Sequence, residues 1–483
     1  MPDRHTTDRL DIELRRIAEA LVAEAPEVPE SLPANHVVVR LHGGPRRRYL
    51  LVAAVVVGVV SLVGALLAAT RRAADDADVR VNQQPAVTGP PVGEAAPTCA
   101  GDADGRLLIG GLLPETGDLA SLGAPMIAAA SLAVEEINAA GGVLGRPVEY
   151  IPGDSGDGDP EAANLTVDSH LAAGADAVLG AAASGVSLDV IDTITSACRI
   201  QFSPANTSPE LTDHDDGDLY FRTAPSDVLQ GRALADLIVA EGNRTVALLA
   251  PQGAYSEGLL DFTKRPLGEQ GAEVVVERTY DPEATSFDAE VEAVVAADPD
   301  ALVMTGFAES SIILNALAAR GFTPDEHGVY VYIDNVGPAW GESFTDPGGP
   351  VGVKGTRPTA GATDEFRRRL LLREPDLQDF SYGPETYDAV IIMALAAERA
   401  GTDNPAEVAR NINGVTRGGE ACATFDECRD LIAGGEDIDY NGESGPLEFS
   451  AAGEPTVAGV AILSYGADNR IDDSLTEFRQ AKF

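Results

Sequence analysis

The sequence predicts an α/β protein of two lobes, each a parallel sheet flanked by helices, preceded by one transmembrane helix. Three observations predict it. From residue 107 onward, short apolar runs alternate with helical segments, the pattern of parallel sheets covered by helices on both faces. About ten such units follow one another, more than one sheet comfortably holds, so two lobes are expected. Ahead of them, residues 49–69 form a single charge-free apolar stretch of 21 residues.

The first 48 residues read as a cytoplasmic segment. Residues 7–25 carry Leu10, Leu14, Ile17, Leu21 and Val22 at helical spacing, with Thr6 or Thr7 able to cap the helix. This helix is either a solvated stub or a docking element for a cytoplasmic partner. The stretch 49–69 is long enough to cross a hydrocarbon core of ~30 Å at 1.5 Å per residue. Arg46, Arg47 and Arg48 precede it, and Arg71 and Arg72 follow. The larger basic count on the N-terminal side places residues 1–48 in the cytoplasm and the rest outside, in a single-pass protein of the cell membrane. A cleaved signal peptide is the rival reading; the long charged leader and the length of the apolar run count against it. Residues 70–105 lack apolar periodicity, collect Pro, Gly and Asp, and read as a linker.

In the globular part, strands are expected at 107–112, 148–151, 177–179, 200–203, 245–249, 272–276, 301–304 and 329–333. Helices are expected at 124–140, 160–173, 188–197, 227–241, 256–270, 287–297, 310–320 and 384–399. Asp159-Pro160 supplies a cap followed by proline at the first helical position, while Gly141-Gly142 and Gly321 stop their helices.

Ligands of open α/β sheets sit beyond the carboxyl ends of the strands, where loops run into helix N-termini. Three loops there carry useful chemistry. After Gly180, AAASGVSLD presents the Ser184 hydroxyl at a helix start, suited to a carboxylate or simply to capping. After 200–203, PANTSPELT offers the Thr207 hydroxyl and the Ala205 carbonyl. After 329–333, DNVGPAWG offers Asp334, able to balance an ammonium group or merely to be solvated.

These loops, in this order, resemble the leucine/isoleucine/valine-binding proteins, the branched-chain amino-acid receptors of ABC importers. The resemblance spans roughly residues 106–473, and its more specific pieces are AVEEINAAGGVLGRPVEY, GDSGDGDPEAA, SPANTSPELT and AYSEG. It implies the type I periplasmic-binding fold: two lobes joined by crossing strands, ligand clamped between them, and no catalysis. Lobe 1 is then expected over about 106–223 and 357–445, lobe 2 over about 224–356 and 446–473, and a C-terminal tail over 474–483. The resemblance assigns Ser184 to the ligand carboxylate, Ala205 and Thr207 to both α-groups, Tyr255 to the second-lobe wall and Asp334 to the ammonium. A one-residue shift puts Asn335 in that last place. Leu122 and Phe307 stand where some members carry cleft tyrosines, so the side-chain pocket is altered. An amino acid or a small amide is the implied ligand. The implied partners are an ABC permease and ATPase, since the chain holds no Walker loop of its own. A transmembrane receptor signalling through residues 1–48 is the alternative.

Other chemistries find little support. The loop GDSGDGDP lacks the EF-hand spacing, and the six histidines form no metal-ligand cluster. AYSEG is one residue short of a nucleophile elbow, and His327 is the only histidine beyond residue 214. No cofactor motif is present. The net charge is −43, with Lys264, Lys354 and Lys482 the only lysines, which excludes a nucleic-acid partner that needs a basic stripe. Residues 1–72 carry ten Lys/Arg against eight Asp/Glu, so the remainder holds −45. All four cysteines lie beyond the apolar stretch, where disulfides persist. Cys422 and Cys428 suit a local bridge, which leaves Cys99 with Cys198; two free buried thiols are the other possibility.

Overall fold

The computed structural model describes residue 97 and residues 99–482, apart from 118, 157–159, 308, 323–348 and 360. The apolar stretch 49–69, the expected strand 329–333 and Asp334 lie outside the described residues. Among those described, one helix, Ala120–Ala139, is long and apolar enough to span a membrane, and it packs in the protein core instead.

The first lobe is built on five parallel strands: β1 (Leu108–Leu112), β2 (Glu149–Ile151), β3 (Ala177–Gly180), β4 (Ile200–Ser203) and β5 (Tyr220–Arg222). Their order across the sheet is β2-β1-β3-β4-β5. The chain therefore reverses its direction of travel between β1 and β3, and the crevice opens at that switch point. β1, β3 and β4 are buried along their whole length, so the sheet must be covered on both faces. α1 (Ala120–Ala139) and α9 (Gly383–Ala400) cover one face; α2 (Pro160–Ala173) and α3 (Ser184–Ser196) cover the other. α9 is buried from Gly383 to Ala397, which makes it a core helix without a polar stripe.

The second lobe repeats the scheme with β6 (Thr245–Pro251), β7 (Glu273–Tyr280) and β8 (Ala301–Met304), parallel in the order β7-β6-β8. α4 (Asp227–Ala240) and α5 (Ala254–Glu269) follow β5 and β6; α6 (Asp288–Ala297) and α7 (Ser310–Ala318) follow β7 and β8. The aliphatic residues of these strands split between two clusters, one on each face. β9 (Lys354–Arg357), β13 (Val457–Ser464) and β14 (Glu477–Lys482) make an antiparallel sheet in the order β14-β13-β9, and β10 (Glu420–Cys422), β11 (Ile438–Gly442) and β12 (Gly445–Pro446) make a small one in the order β10-β11-β12.

Several expected boundaries move. Residues 477–482, expected in a tail, form β14 against β13. Leu447 and Phe449, expected in lobe 2, are buried in the core of lobe 1. α1 starts four residues early and α3 places Ser184 inside its first turn, because alanine and serine runs there hide the apolar spacing. α8 (Asp364–Arg373), α10 (Pro405–Ile412) and α11 (Phe425–Gly434) were not expected as helices. The end of the linker is also strapped down. Cys99 is bonded to Cys198, Asp403 accepts the backbone N–H groups of Asp104, Gly105 and Arg106 at 2.6–2.9 Å, and Arg410 donates to the Pro97 carbonyl. Cys422 is bonded to Cys428.

Candidate functional site

The switch point of the first sheet and the matching end of the second face one cavity of about 170 Å³. Leu119 enters it from the N-cap of α1 and Leu122 from the first turn of that helix, Ala182–Gly185 from beyond the end of β3, Ala205 and Thr207 from beyond the end of β4. Opposite them stand Gln252–Ser256 after β6 and Phe307 after β8.

Local rules explain why the loops take these paths. β3 ends on Gly180 at φ +133°, where a Cβ would lie 2.0 Å from the Leu112 carbonyl oxygen, so only glycine lets the chain turn out of the sheet beside β1. Ala183 then sits at the N-cap of α3 in extended geometry without a capping side chain. The first-turn N–H groups of that helix thus point toward the cavity. The Ser184 hydroxyl accepts long contacts from the N–H groups of Thr207 (3.4 Å) and Ser208 (3.3 Å). The β4 loop is held from behind. Ser203 Oγ donates to Ala181 O at 2.7 Å, Asn206 donates to Ala182 O at 2.9 Å, and Tyr220 donates to Asn206 Oδ1 at 3.0 Å. Arg222, fully buried, donates to Ser208 O at 2.8 Å and pairs with Glu454. A lone buried charge would cost several kcal/mol, and here each has its partner.

The second wall begins at Gly253, which precedes α5, so a second helix N-terminus faces the same cavity. Tyr255 and Phe307 form an aromatic wall, their ring centroids 6.0 Å apart at 50°. Glu309 accepts the Phe307 N–H at 3.0 Å and fixes that loop. The lobes touch at one lip: Ser208 Oγ donates to Ala254 O at 3.2 Å, and a Cβ on Gly258 would meet Pro209 Cδ at 3.0 Å. Beneath the floor, Leu122, Ala182, Ala205, Ala224 and Tyr382 share a small apolar cluster. Below them Glu385 links both crossing segments: its carbonyl accepts from Thr223 Oγ1 at 2.9 Å and its carboxylate from Thr359 Oγ1 at 2.8 Å. Burial pushes the Glu385 carboxyl up to about 7.

Leu122, Ser184, Ala205, Thr207, Tyr255 and Phe307 are thus brought to one cavity, although 185 positions separate the first from the last. Among the described residues that line it, none is a carboxylate. Sequence reasoning missed Leu119 and Gln252, which neighbour named motifs, and the bracing pair Arg222–Glu454. Those two are 232 positions apart, and no local pattern announces them.

Known proteins agree with this geometry. Residues 107–430 match the model of a family described as periplasmic binding protein. The chain belongs to that family. Its relatives include a chemotactic signal transduction system substrate-binding protein of Halobacterium salinarum, 28% identical over 72% of this chain and 84% of its own length. An amino acid binding protein of Pseudomonas aeruginosa is 27% identical over 63% of this chain and 81% of its own. Among solved structures, the branched-chain amino-acid transporter substrate-binding protein LivJ of Streptococcus pneumoniae, in complex with isoleucine, has a TM-score of 0.63 at 22% identity. It covers 78% of this chain and 99% of its own. The leucine-binding protein LivK of Thermotoga maritima gives the same TM-score at 20% identity, over 78% and 98%. The two-lobed type I periplasmic-binding fold of the family is the fold described above, and its members bind solutes.

Proposed function

We propose that this chain is an extracytoplasmic solute-binding protein, held at the cell membrane by residues 49–69, that captures an amino acid for an ABC importer and catalyses nothing. The observation that carries this reading is the convergence at one cavity of the Ser184 and Thr207 side chains and the first turns of two helices, neither of which has a capping side chain. Such a set of donors with helix-dipole support suits a carboxylate. The Tyr255–Phe307 wall with Leu119 and Leu122 suits an apolar side chain. Asp334 is the proposed partner of the ammonium group. Relatives named for amino-acid binding support the ligand class. Ligand closes the lobes and shifts the population toward a form that the permease recognises, with the ATPase as a further subunit.

Thermal unfolding of the full-length protein against the amino acids and small amides tests the claim. A ligand at 100 times its dissociation constant adds ~2.7 kcal/mol to stability. Ser184→Ala with Thr207→Ala is expected to abolish that shift while leaving the unliganded melting point within a few degrees. Unchanged affinity in this double variant, or a response to uncharged solutes alone, refutes the assignment.

A second reading has one specific support, the relative named for chemotactic signal transduction. In it the same cleft senses its ligand, and residues 1–48 pass the state to a cytoplasmic partner. Removing residues 1–45 separates the two readings: uptake survives if the chain serves import, and the response disappears if it signals.

A further inference from the structure

A second cavity, of about 350 Å³, lies apart from the cleft and shares no lining residue with it. One side is formed by α8 and the loop carrying Gln378–Ser381; the other by β9, β13 and β14. Three arginines line it: Arg357, Arg367 and Arg470. Asp379 is the only carboxylate among its lining residues, so this small region carries about +2 inside a chain of −43.

The cavity is furnished rather than incidental. Arg357 is 8% exposed and is held by a 2.7 Å hydrogen bond to Ser381 Oγ. Ser381 is oriented in turn by Asp379, whose Oδ1 accepts from its N–H at 2.9 Å and from its hydroxyl at 2.5 Å. Arg367 lies over the Phe380 ring at 5.4 Å, and its buried Nε has no hydrogen-bond partner among the described residues. The buried Thr476 Oγ1 also lacks one. Elsewhere in the described chain arginines commonly end on carboxylates, as Arg369 does on Glu136 and Glu443. Arg367 and Arg470 make no such pair among the described residues. Of the unmet buried atoms at this cavity, Arg367 Nε and the Thr476 hydroxyl can donate and Asp379 Oδ2 accepts, so with three guanidinium groups to one carboxylate the balance calls for an anionic acceptor. Guanidinium forks match a carboxylate in two parallel hydrogen bonds. Beside polar Thr359 and Gln378 the lining carries four large apolar side chains, Phe380, Leu463, Ile471 and Phe478, the last left 59% exposed. Exposed phenylalanine beside stacked guanidinium favours a flat hydrophobic body.

We infer that this cavity is a second ligand site, for a small aromatic carboxylate whose carboxyl group meets Arg367 and Arg470 and whose ring lies against Phe478. It is separate from the cleft proposed to hold the amino acid, and its test distinguishes the two.

The test titrates full-length protein with phenylacetate by calorimetry, beside sulfate at matched ionic strength. Phenylacetate is expected to bind one equivalent. Affinity should fall by about tenfold or more in Arg367→Gln with Arg470→Gln, the loss of one charge-assisted pair or more. It should weaken in Phe478→Ala alone, a surface change that spares the fold, and survive in Ser184→Ala with Thr207→Ala. No heat with wild-type protein up to the millimolar range overturns the proposal. So does binding that vanishes in the cleft variant, or that persists unchanged in both the arginine and Phe478 variants. Sulfate binding as tightly as phenylacetate would also overturn it, since the apolar wall would then contribute nothing.

Discussion

Glu385 sits where both crossing segments meet lobe 1, bonded to Thr359 and, through its carbonyl, to Thr223. Its second carboxyl oxygen is buried without a hydrogen-bond partner among the described residues, and burial, reinforced by the nearby Asp388, holds the group protonated up to about 7. An exposed glutamate releases its proton near 4.5. Between these values the unfolded chain binds fewer protons than the folded one, so stability falls as pH rises through this window and is level above it. A separation of about 2.5 units corresponds to ~3 kcal/mol. Glu385→Gln keeps the size and the neutral form, so the variant should gain on wild type by up to that amount between pH 4.5 and 7. Denaturant unfolding at closely spaced pH values measures the difference directly, and a constant offset across the window would show that the carboxyl ionises freely in the fold. Asp176, which burial pushes up to about 7 and which accepts the Leu108 N–H, contributes a slope of the same sign to both proteins and cancels in the comparison.

At the scale of elements, the two disulfides differ in what they close. Cys99–Cys198 spans 99 positions and ties the strap before β1 to the turn after α3; Cys422–Cys428 spans six and fixes the entry to α11. Chain-entropy estimates for such loops are ~4.7 and ~2 kcal/mol. Serine at both positions of the longer bridge should therefore lower the unfolding free energy by more than serine at both positions of the shorter one. Limited proteolysis should then cut near residue 100 first, and equal losses in the two double variants would contradict this account. Strands and helices around these bridges show what the sequence made legible. β8 and α2 agree with the expected bounds to the residue, since aliphatic runs and a Pro-led helix are local signals. α8 and α11 were not legible because charged residues interrupt their apolar spacing, while α10 was missed for its shortness, eight residues, although its Asn404 cap and Pro405 are local signals of the same kind as those of α2. Six residues expected at the site do share one cavity: Ser184, Ala205 and Thr207 lie just beyond strand ends that periodicity locates, whereas Leu122, Tyr255 and Phe307 were expected only from the family resemblance. Arg222, Glu454 and Glu385 were not legible: their role depends on which strands cross between lobes, and that is settled only in three dimensions.

Over the whole molecule the dominant quantity is charge. The chain has 34 Lys/Arg against 77 Asp/Glu, so even if every cation found a partner, 43 carboxylates would still face one another. Two effects of added salt compete. It weakens exposed pairs such as Arg368–Glu365 and Arg265–Glu269, each worth at most ~1 kcal/mol. It also screens the self-repulsion of the surplus, which acts among all the carboxylates at once and loses range as the Debye length falls from ~10 Å at 0.1 M to ~3 Å at 1 M. The buried pair Arg222–Glu454 is shielded from solvent and changes little. With more than half of the carboxylates beyond the reach of any cation, repulsion outweighs pairing. The melting temperature of the full-length protein at pH 7 should therefore rise by several degrees between ~0.05 and ~1 M sodium chloride. The rise should shrink as pH approaches 4, where carboxylates take up protons and the surplus disappears. A melting point that stays level or falls with salt at pH 7 would mean that the ion pairs on the surface contribute more than the repulsion they are set in.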